Sequence, residues 1–518
     1  STLLRWERGG RIDRLDLLVL LVLVVLALTL RGFRLDQPVR MYFDEVYHAR
    51  TATEFLQHWE YGEPHDIYEF THPHLAKYAM AWGIRVAGGN EVTGSADLGM
   101  TVDDAVIERR WAPADDPDGR NGDRLYVAGG DRLGVYDLAT RELVAELPLE
   151  AQAVAVDEHD HELFVAGPTG RLSRLDTTWL DARRTGADTD PAAIAEAASP
   201  FSFGPGAPVE QLLVTDTSVV AVTLGSIATF EPDSGELLSE RLAAGIEDVV
   251  ELPRAERLII DTRQLDDRAS VAALLADVLG DEPSDLEDVL ARDGFVTVAA
   301  WTDPEAVETI TDYIETGVLP GAEFESAPLL AVADAAGVDV LDAWGLDLLE
   351  HIPTDEPVTG LALADPDGSE PTLYATTGAS IETVRFSDDG PAIPETVWMP
   401  GAVRDPVWNE PAELVHVLGE APASGPTVYV VEPKGRSVFI DVPLPFEPDS
   451  LVADTQAGRP DLDRTELLAI AGDGRVTSVD IGSNAFGWRI VGVLLGALTA
   501  ALVYLFARVL FARRSIAL

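Results

Sequence analysis

The 518-residue sequence contains no cysteine, which removes disulfide frameworks, thiolate metal sites and thiol nucleophiles from consideration. Packing alone must hold the chain together. Positive charge is also scarce: 37 Lys and Arg face 89 Asp and Glu, for a formal net charge of −52. Such an excess excludes a nucleic-acid partner and points to an acidic, salt-adapted surface. Among the basic residues only Lys77 and Lys434 are lysine, so Lys77 stands out where arginine is the rule. Long apolar runs are limited to two, one at each end of the chain.

The first run, Leu15 to Leu30 (LDLLVLLVLVVLALTL), approaches with its flanks the roughly 20 residues that a helix needs to cross a bilayer, with Asp16 at the interface. No small-residue cleavage site follows it, which favours a membrane helix over a signal peptide. The second run, Ile490 to Leu510, carries Gly492, Gly496, Ala497 and Ala500, small residues that let a second helix approach closely. Arg5, Arg8, Arg11 and Arg14 precede the first run, and Arg508, Arg513 and Arg514 close the second. The positive-inside rule therefore puts both ends in the cytoplasm and residues about 32–485 outside it, in a multi-pass membrane protein.

Between the runs the chain changes character twice. Residues 36–91 hold five of the nine histidines (His48, His58, His65, His72, His74) among many aromatics, a mixture suited to an interfacial surface. From Asp44, DEVYHARTATEFLQHW reads as a helix. Thr71 is placed to cap a second helix, HPHLAKYAMAWGIRVA, which tolerates Pro73 in its first turn, ends at Gly88-Gly89 and is suited to lie on or partly in the membrane. Residues 92–482 instead carry degenerate strand-turn-strand repeats: LYVAGGDRLGVYD (125–137), LFVAGPTGRLSRLD (163–176), VVAVTLGSIATFE (219–231), LLAVADAAGVDVLD (329–342), LYATTGASIETVRF (373–386), VYVVEPKGRSVFID (428–441) and LLAIAGDGRVTSVD (467–480). Units that bury their apolar faces only against neighbours, spaced by about 40 residues, predict a seven-bladed β-propeller in preference to a parallel β-solenoid, whose coils are shorter. The wide gap before residue 329 has helical periodicity over about 265–320, an insertion in the fourth blade. The fold class is thus a two-span α-helical membrane part (residues 1–35 and 483–518) and an extracytoplasmic loop (36–91), joined to a large all-β domain (92–482).

RLDQPVRMYFDEVYHARTATEFL, YEFTHPHLAKYAMAWGI and NAFGWRIVGVLLGALTAALVYLFARVLF together resemble the N-terminal part of the protein O-mannosyltransferase family, the polyprenyl- or dolichyl-phosphate-mannose-dependent enzymes of the GT-C class. The resemblance covers roughly residues 30–90 and 484–514. In that family an Asp-Glu pair follows the first membrane helix, a His-Pro-Pro-Leu-Gly-Lys motif comes next, and an Asn-Pro-Phe-Gly-Trp-Arg-like segment opens the second membrane helix. All three occur here in order, with His74 for the second proline, Ala76 for the glycine and Ala485 for a proline. The propeller then stands as an insertion in the first outer loop.

The resemblance implies an inverting glycosyltransferase that moves a sugar, mannose in this family, from a polyprenyl-phosphate carrier to a hydroxyl, such as a protein Ser or Thr. It implies Asp44 as the base that takes the acceptor proton, Glu45 as its orienting partner, and Glu69, His72, His74 and Lys77 as substrate-binding residues. The roles suit the residue types: attack at the anomeric carbon needs a carboxylate near the acceptor, and a departing phosphate needs cations or donors such as Lys77, His72 and a helix N-terminus. Each residue also has a plainer reading. Asp44 caps a helix, the histidines sit in a surface loop, and Lys77 snorkels to headgroups. Asp44, His48, His72 and His74 are metal-ligand types, but they lack the i, i+4 spacing of a helical zinc motif; no metal ligand is assigned and no cofactor is required beyond the lipid-linked sugar. His159 and His161 read as solvated, and ADPDGSE (364–370) and AGDGRV (471–476) as ordinary turns. The expected partners are membrane lipid, the polyprenyl-phosphate sugar and an acceptor protein or glycan. Two spans do not enclose a lipid-sugar, so residues 1–518 are expected to be a fragment or to work with further helices. The competing reading is a membrane-tethered propeller that scaffolds partners without catalysis.

Overall fold

The computed structural model describes residues 12–35, 48–49, 51–52, 55, 74–87, 91–108, 123–138, 140–157, 159–179, 190–201, 204–215, 217–279, 283–292, 294–300, 304–364, 371–387, 390–409, 414–421, 425–432, 437–453, 467–480 and 484–511. It divides into two compact units: Ser1–Glu91 with Tyr429–Val442 and Asp480–Leu518, and Val92–Val428 with Pro443–Val479.

Seven antiparallel sheets are met one after another along the chain. Their first strands are Asp104–Glu108, Ala153–Asp157, Val209–Val214, Asp248–Asp261, Val358–Ala364, Val403–Asn409 and Ser450–Ala453. Each first strand touches that of the next sheet, and the seventh returns to the first, which closes a ring of seven inner strands. This is the architecture of a seven-bladed β-propeller. The closure is completed at the outer rim: the N-terminal strand Glu91–Asp97 lies beside Arg475–Asp480 as the last strand of blade 7. The Ser95 and Thr477 hydroxyls meet there at 3.0 Å, and Thr477 Oγ1 donates to the Gly94 carbonyl at 2.6 Å.

The sequence writes this arrangement in the middle strands, which are apolar on both faces because each blade packs on two neighbours. In Arg124–Ala128, Tyr126 and Ala128 join a core with Val154, Leu163 and Val165 of blade 2, whereas Leu125 and Val127 pack with Leu468, Ile470 and Val476 of blade 7. The same alternation builds cores between blades 2 and 3, 3 and 4, and 4 and 5. Six of the seven predicted repeats coincide with the second and third strands of a blade. The exception is VYVVEPKGRSVFID, which spans the third and fourth strands of blade 6; its second strand is Leu414–Ala421, followed by Gly425–Glu432.

Blade 4 carries the predicted insertion, with more structure than helical periodicity suggested. Its first two strands, Asp248–Asp261 and Ala322–Asp334, run beyond the blade as one long antiparallel ladder. Phe295–Ala300, a strand inside the stretch read as helical, pairs with the extension. Helices Arg268–Leu279, Pro283–Leu290 and Pro304–Glu315 cover it through a separate core of Leu258, Ile260, Leu275, Leu290, Val296 and Ile310.

In the smaller unit, helix α1 spans Arg14–Gly32, α2 spans His74–Ala87 and α3 spans Asn484–Leu510. Asp13 starts α1 by a capping box, its carboxylate accepting from Leu15 and Asp16 N–H while Asp16 accepts from the Asp13 N–H. Two helices, Arg14–Gly32 and Phe486–Leu510 within α3, are long and apolar enough to cross a membrane, each with a mean hydropathy of 2.4. Asp16 is fully buried against α3, where Arg508 and Tyr504 meet it.

Candidate functional site

The three helices converge at the Asn484 end of α3. Helix α2 crosses α3 where both have glycine. A side chain at Gly83 would run into the Gly487 carbonyl and Val491, and one at Gly487 would run into the Ile84 backbone at 2.6 Å. Ala81 and Ile84 are buried on the same side of α2. Further along α3, Gly496 leaves room for the Arg31 guanidinium from the last turn of α1, a position where a cation also complements the helix dipole.

These contacts frame a cavity of about 440 Å³ lined by Arg31, His48, Ala49, Met80, Trp488, Arg489, Gly492 and Val493. Trp488 is fully buried and forms an apolar floor. The Arg489 guanidinium lies 5.6 Å from the centre of the Trp488 ring and donates to the Leu35 carbonyl at 3.2 Å. Two guanidiniums and an imidazole thus face one apolar hollow, and no carboxylate is among its described lining residues. Guanidiniums beside an apolar wall attract an anion more strongly than they do in water.

The structure places the expected site residues unevenly. Asp44, Glu45, Glu69 and His72 lie outside the described residues. Lys77 is fully buried, so the headgroup-snorkelling reading fails for it. His74, one turn before Lys77 on α2, sits in an aromatic cluster. Its ring centre is 6.0 Å from that of Phe55 and 6.3 Å from that of Tyr78, and Phe55 and Tyr78 are 4.6 Å apart. Among the described residues no group of three His, Asp or Glu is arranged to hold a metal ion. Arg31 and His48 were not singled out for anion binding by sequence, and Arg489 only as part of a helix-opening segment. The legible signal was that arginines close α1 and open α3 at the same end.

The propeller holds polar groups that the sequence reading passed over. On the inner strands, Asp104 accepts from Val154 N–H at 2.9 Å, Asp248 from Leu361 N–H at 2.7 Å and Asp405 from Leu451 N–H, each tying one blade to the next. Burial pushes these carboxyls up, to about 7, about 6 and about 7. His161 is not simply solvated: its Nδ1 lies 3.2 Å from Glu108, a buried carboxylate that also accepts from Thr177 and Tyr126 at 2.9 and 2.5 Å. In the AGDGRV turn Asp473 is bound by Arg475 at 2.8 Å, an ordinary ion-paired turn. The ADPDGSE segment falls almost wholly outside the described residues.

No protein-family model matches the sequence, and no curated protein does. Among solved structures, the chain is similar to the WD40 β-propeller domain of Doa1. The TM-score is 0.42 at 11% sequence identity, over 76% of this chain and 97% of that domain.

Proposed function

We propose that this chain is the front part of a membrane glycosyltransferase that moves a sugar, mannose by its motifs, from a polyprenyl-phosphate carrier to a hydroxyl on a protein or glycan outside the cytoplasm. The observation that carries the reading is the cavity lined by Arg31, His48 and Arg489 above the buried Trp488. It sets two guanidiniums and an imidazole beside an apolar floor where two bilayer-length helices and α2 meet, groups that suit a phosphate on an isoprenoid tail. The motifs resembling protein O-mannosyltransferases flank this place in the chain.

In this reading Asp44 takes the proton of the acceptor hydroxyl as its oxygen attacks the anomeric carbon. The carbon–phosphate-oxygen bond breaks with inversion, and the electron pair leaves with the phosphate. Arg31, Arg489 and His48 receive the phosphate, whose charge grows in the transition state. Lys77 and His72 supply further donors to the phosphate, Glu45 orients the base, and Glu69 and His74 bind substrate. Two spans do not by themselves enclose a lipid-linked sugar, so in this reading further helices complete the site. Arg489→Gln should raise the KM for polyprenyl-phosphate-mannose tenfold or more; an unchanged KM would remove the cavity from donor binding.

The second reading, a tethered propeller that binds partners, is favoured by the bulk of the chain, most of which builds the seven blades. It predicts that Asp44→Asn and Lys77→Ala leave function intact while changes on one propeller face abolish partner capture.

A further inference from the structure

Where blade 6 meets blade 7, a second cavity, of about 280 Å³, opens between three stretches of chain. One is the chain entering the inner strand Val403–Asn409, another the hairpin joining Leu414–Ala421 to Gly425–Glu432, and the third the chain entering Ser450–Ala453. Val403, Leu418 and Pro448 are buried there and Pro426 is half-buried, so the walls are apolar. Arg404 braces them: it donates to the Pro448 and Asp449 carbonyls at 2.7 and 3.1 Å, which ties blade 6 to the chain entering blade 7.

The other charged residues of the lining are Glu420 and Glu447, both exposed. At Glu146, Glu395 and Asp473, elsewhere on the propeller, an exposed carboxylate is paired with an arginine; among the described residues no cation pairs with Glu420 or Glu447. Two carboxylates against one guanidinium, itself taken up by backbone carbonyls, leave the cavity net negative over apolar walls. That combination selects a cation on an aliphatic stem: the stem lies along Leu418 and the prolines, and the charged head forms charge-assisted hydrogen bonds with the carboxylates. The volume of about 280 Å³ falls just below the roughly 300–1,000 Å³ of pockets for drug-sized ligands. It suits one long side chain whose backbone stays outside.

We propose that the cavity between blades 6 and 7 is a docking pocket for one basic side chain, arginine or lysine, of a polypeptide that lies across this end of the propeller. The binding does not depend on the transferase reading. In that reading the polypeptide is an acceptor; for a tethered propeller it is the captured partner.

The test uses a fluorescent peptide, Gly-Ser-Arg-Ser-Thr-Gly, and its counterpart with citrulline for arginine, which keeps the length and removes the charge. Both are titrated into the full chain in nanodiscs at about 0.5 M KCl, where long-range attraction is screened. Fluorescence polarisation should show the arginine peptide bound at least tenfold more tightly. Glu420→Gln with Glu447→Gln removes the charge, and Ala402→Trp fills the cavity while keeping both carboxylates; each should weaken the arginine peptide tenfold or more at an unchanged Tm. Asp131→Asn with Glu146→Gln, exposed acids on blade 1, should leave it within twofold. Equal affinity for the two peptides, or no binding of the arginine peptide up to about 1 mM, would overturn the proposal. The same loss in the blade 1 pair would overturn it in favour of diffuse attraction by the acidic surface, and full binding by Ala402→Trp would remove the cavity as the seat. Spermidine bound as tightly as the peptide would overturn it in favour of a free polyamine.

Discussion

Asp104, Asp248 and Asp405 stand on the inner strands of blades 1, 4 and 6, where each carboxylate accepts an N–H of the following blade. Burial is the largest reason that their carboxyls rise, and the accepted N–H bonds oppose it. Asp405 also feels Asp248 and Asp104, partly offset by Arg404, while Asp103 adds to the rise at Asp104. A carboxyl raised on folding stabilises fully below its unfolded value near 4 and loses that contribution as pH climbs through about 6 to 7. His416 acts in the opposite limb. It is fully buried in blade 6 and its ring nitrogens lack hydrogen bonds, so burial lowers it to about 3. Such a histidine folds neutral, and its contribution is lost as pH falls from about 6.5 toward 3. Asp405→Asn keeps an oxygen for Leu451 N–H and suits the φ of 51° at this position. It should raise the Tm at pH 8 by about 2 °C or more and flatten the decline between pH 5 and 8. His416→Leu should extend the acid limb downward. Thermal melts between pH 4 and 8 check both, and parallel profiles for wild type and variants would refute the assignments.

At the scale of elements, the pairing of α1 with α3 turns on one buried ion pair. Arg508 Nε meets Asp16 at 2.7 Å, Tyr504 donates to the same carboxylate at 2.9 Å, and both charged side chains are almost wholly buried. Removing one partner leaves a buried charge, so Arg508→Met should cost about 3–5 kcal/mol of helix association, while Asp16→Leu with Arg508→Met should recover most of it. Denaturant titration of the reconstituted protein reads the difference; equal losses in single and double variants would contradict it. Asp16 also shows why sequence resolved some elements and not others. Its position at the start of an apolar run was readable, but its partner lies 492 residues away. The propeller repeats were legible because burial on both faces imprints an apolar run on each middle strand. Blade 6 was mis-set because Leu414–Ala421 and Gly425–Glu432 are followed by a fourth strand that is equally β-rich. The closing strand Glu91–Asp97 is a polar EVTGSAD with no apolar signal. The candidate site was legible as motifs, whereas the convergence of Arg31, His48 and Arg489 arises from helix crossings that no local pattern encodes.

For the whole molecule, a net charge of −52 makes folding work against its own field, since compaction brings like charges together. Salt shortens the range of that repulsion from about 10 Å at 0.1 M to about 3 Å at 1 M. The Tm should therefore rise steadily from 0.1 M to 2 M KCl, and a flat profile would show that the acidic surface costs the fold nothing. If the cavity lined by Arg31 and His48 receives a lipid-linked phosphate, the Asp44-Glu45 pair, which lies in the chain between those two residues, completes a transferase. The most direct test is transfer of labelled mannose from polyprenyl-phosphate-mannose to a hydroxyl acceptor by membranes that carry the full-length gene product, wild type against Asp44→Asn. The account predicts transfer by the wild type and a loss of about 10²-fold or more in a variant that remains folded; full activity in Asp44→Asn, or no transfer by the wild type, would contradict it.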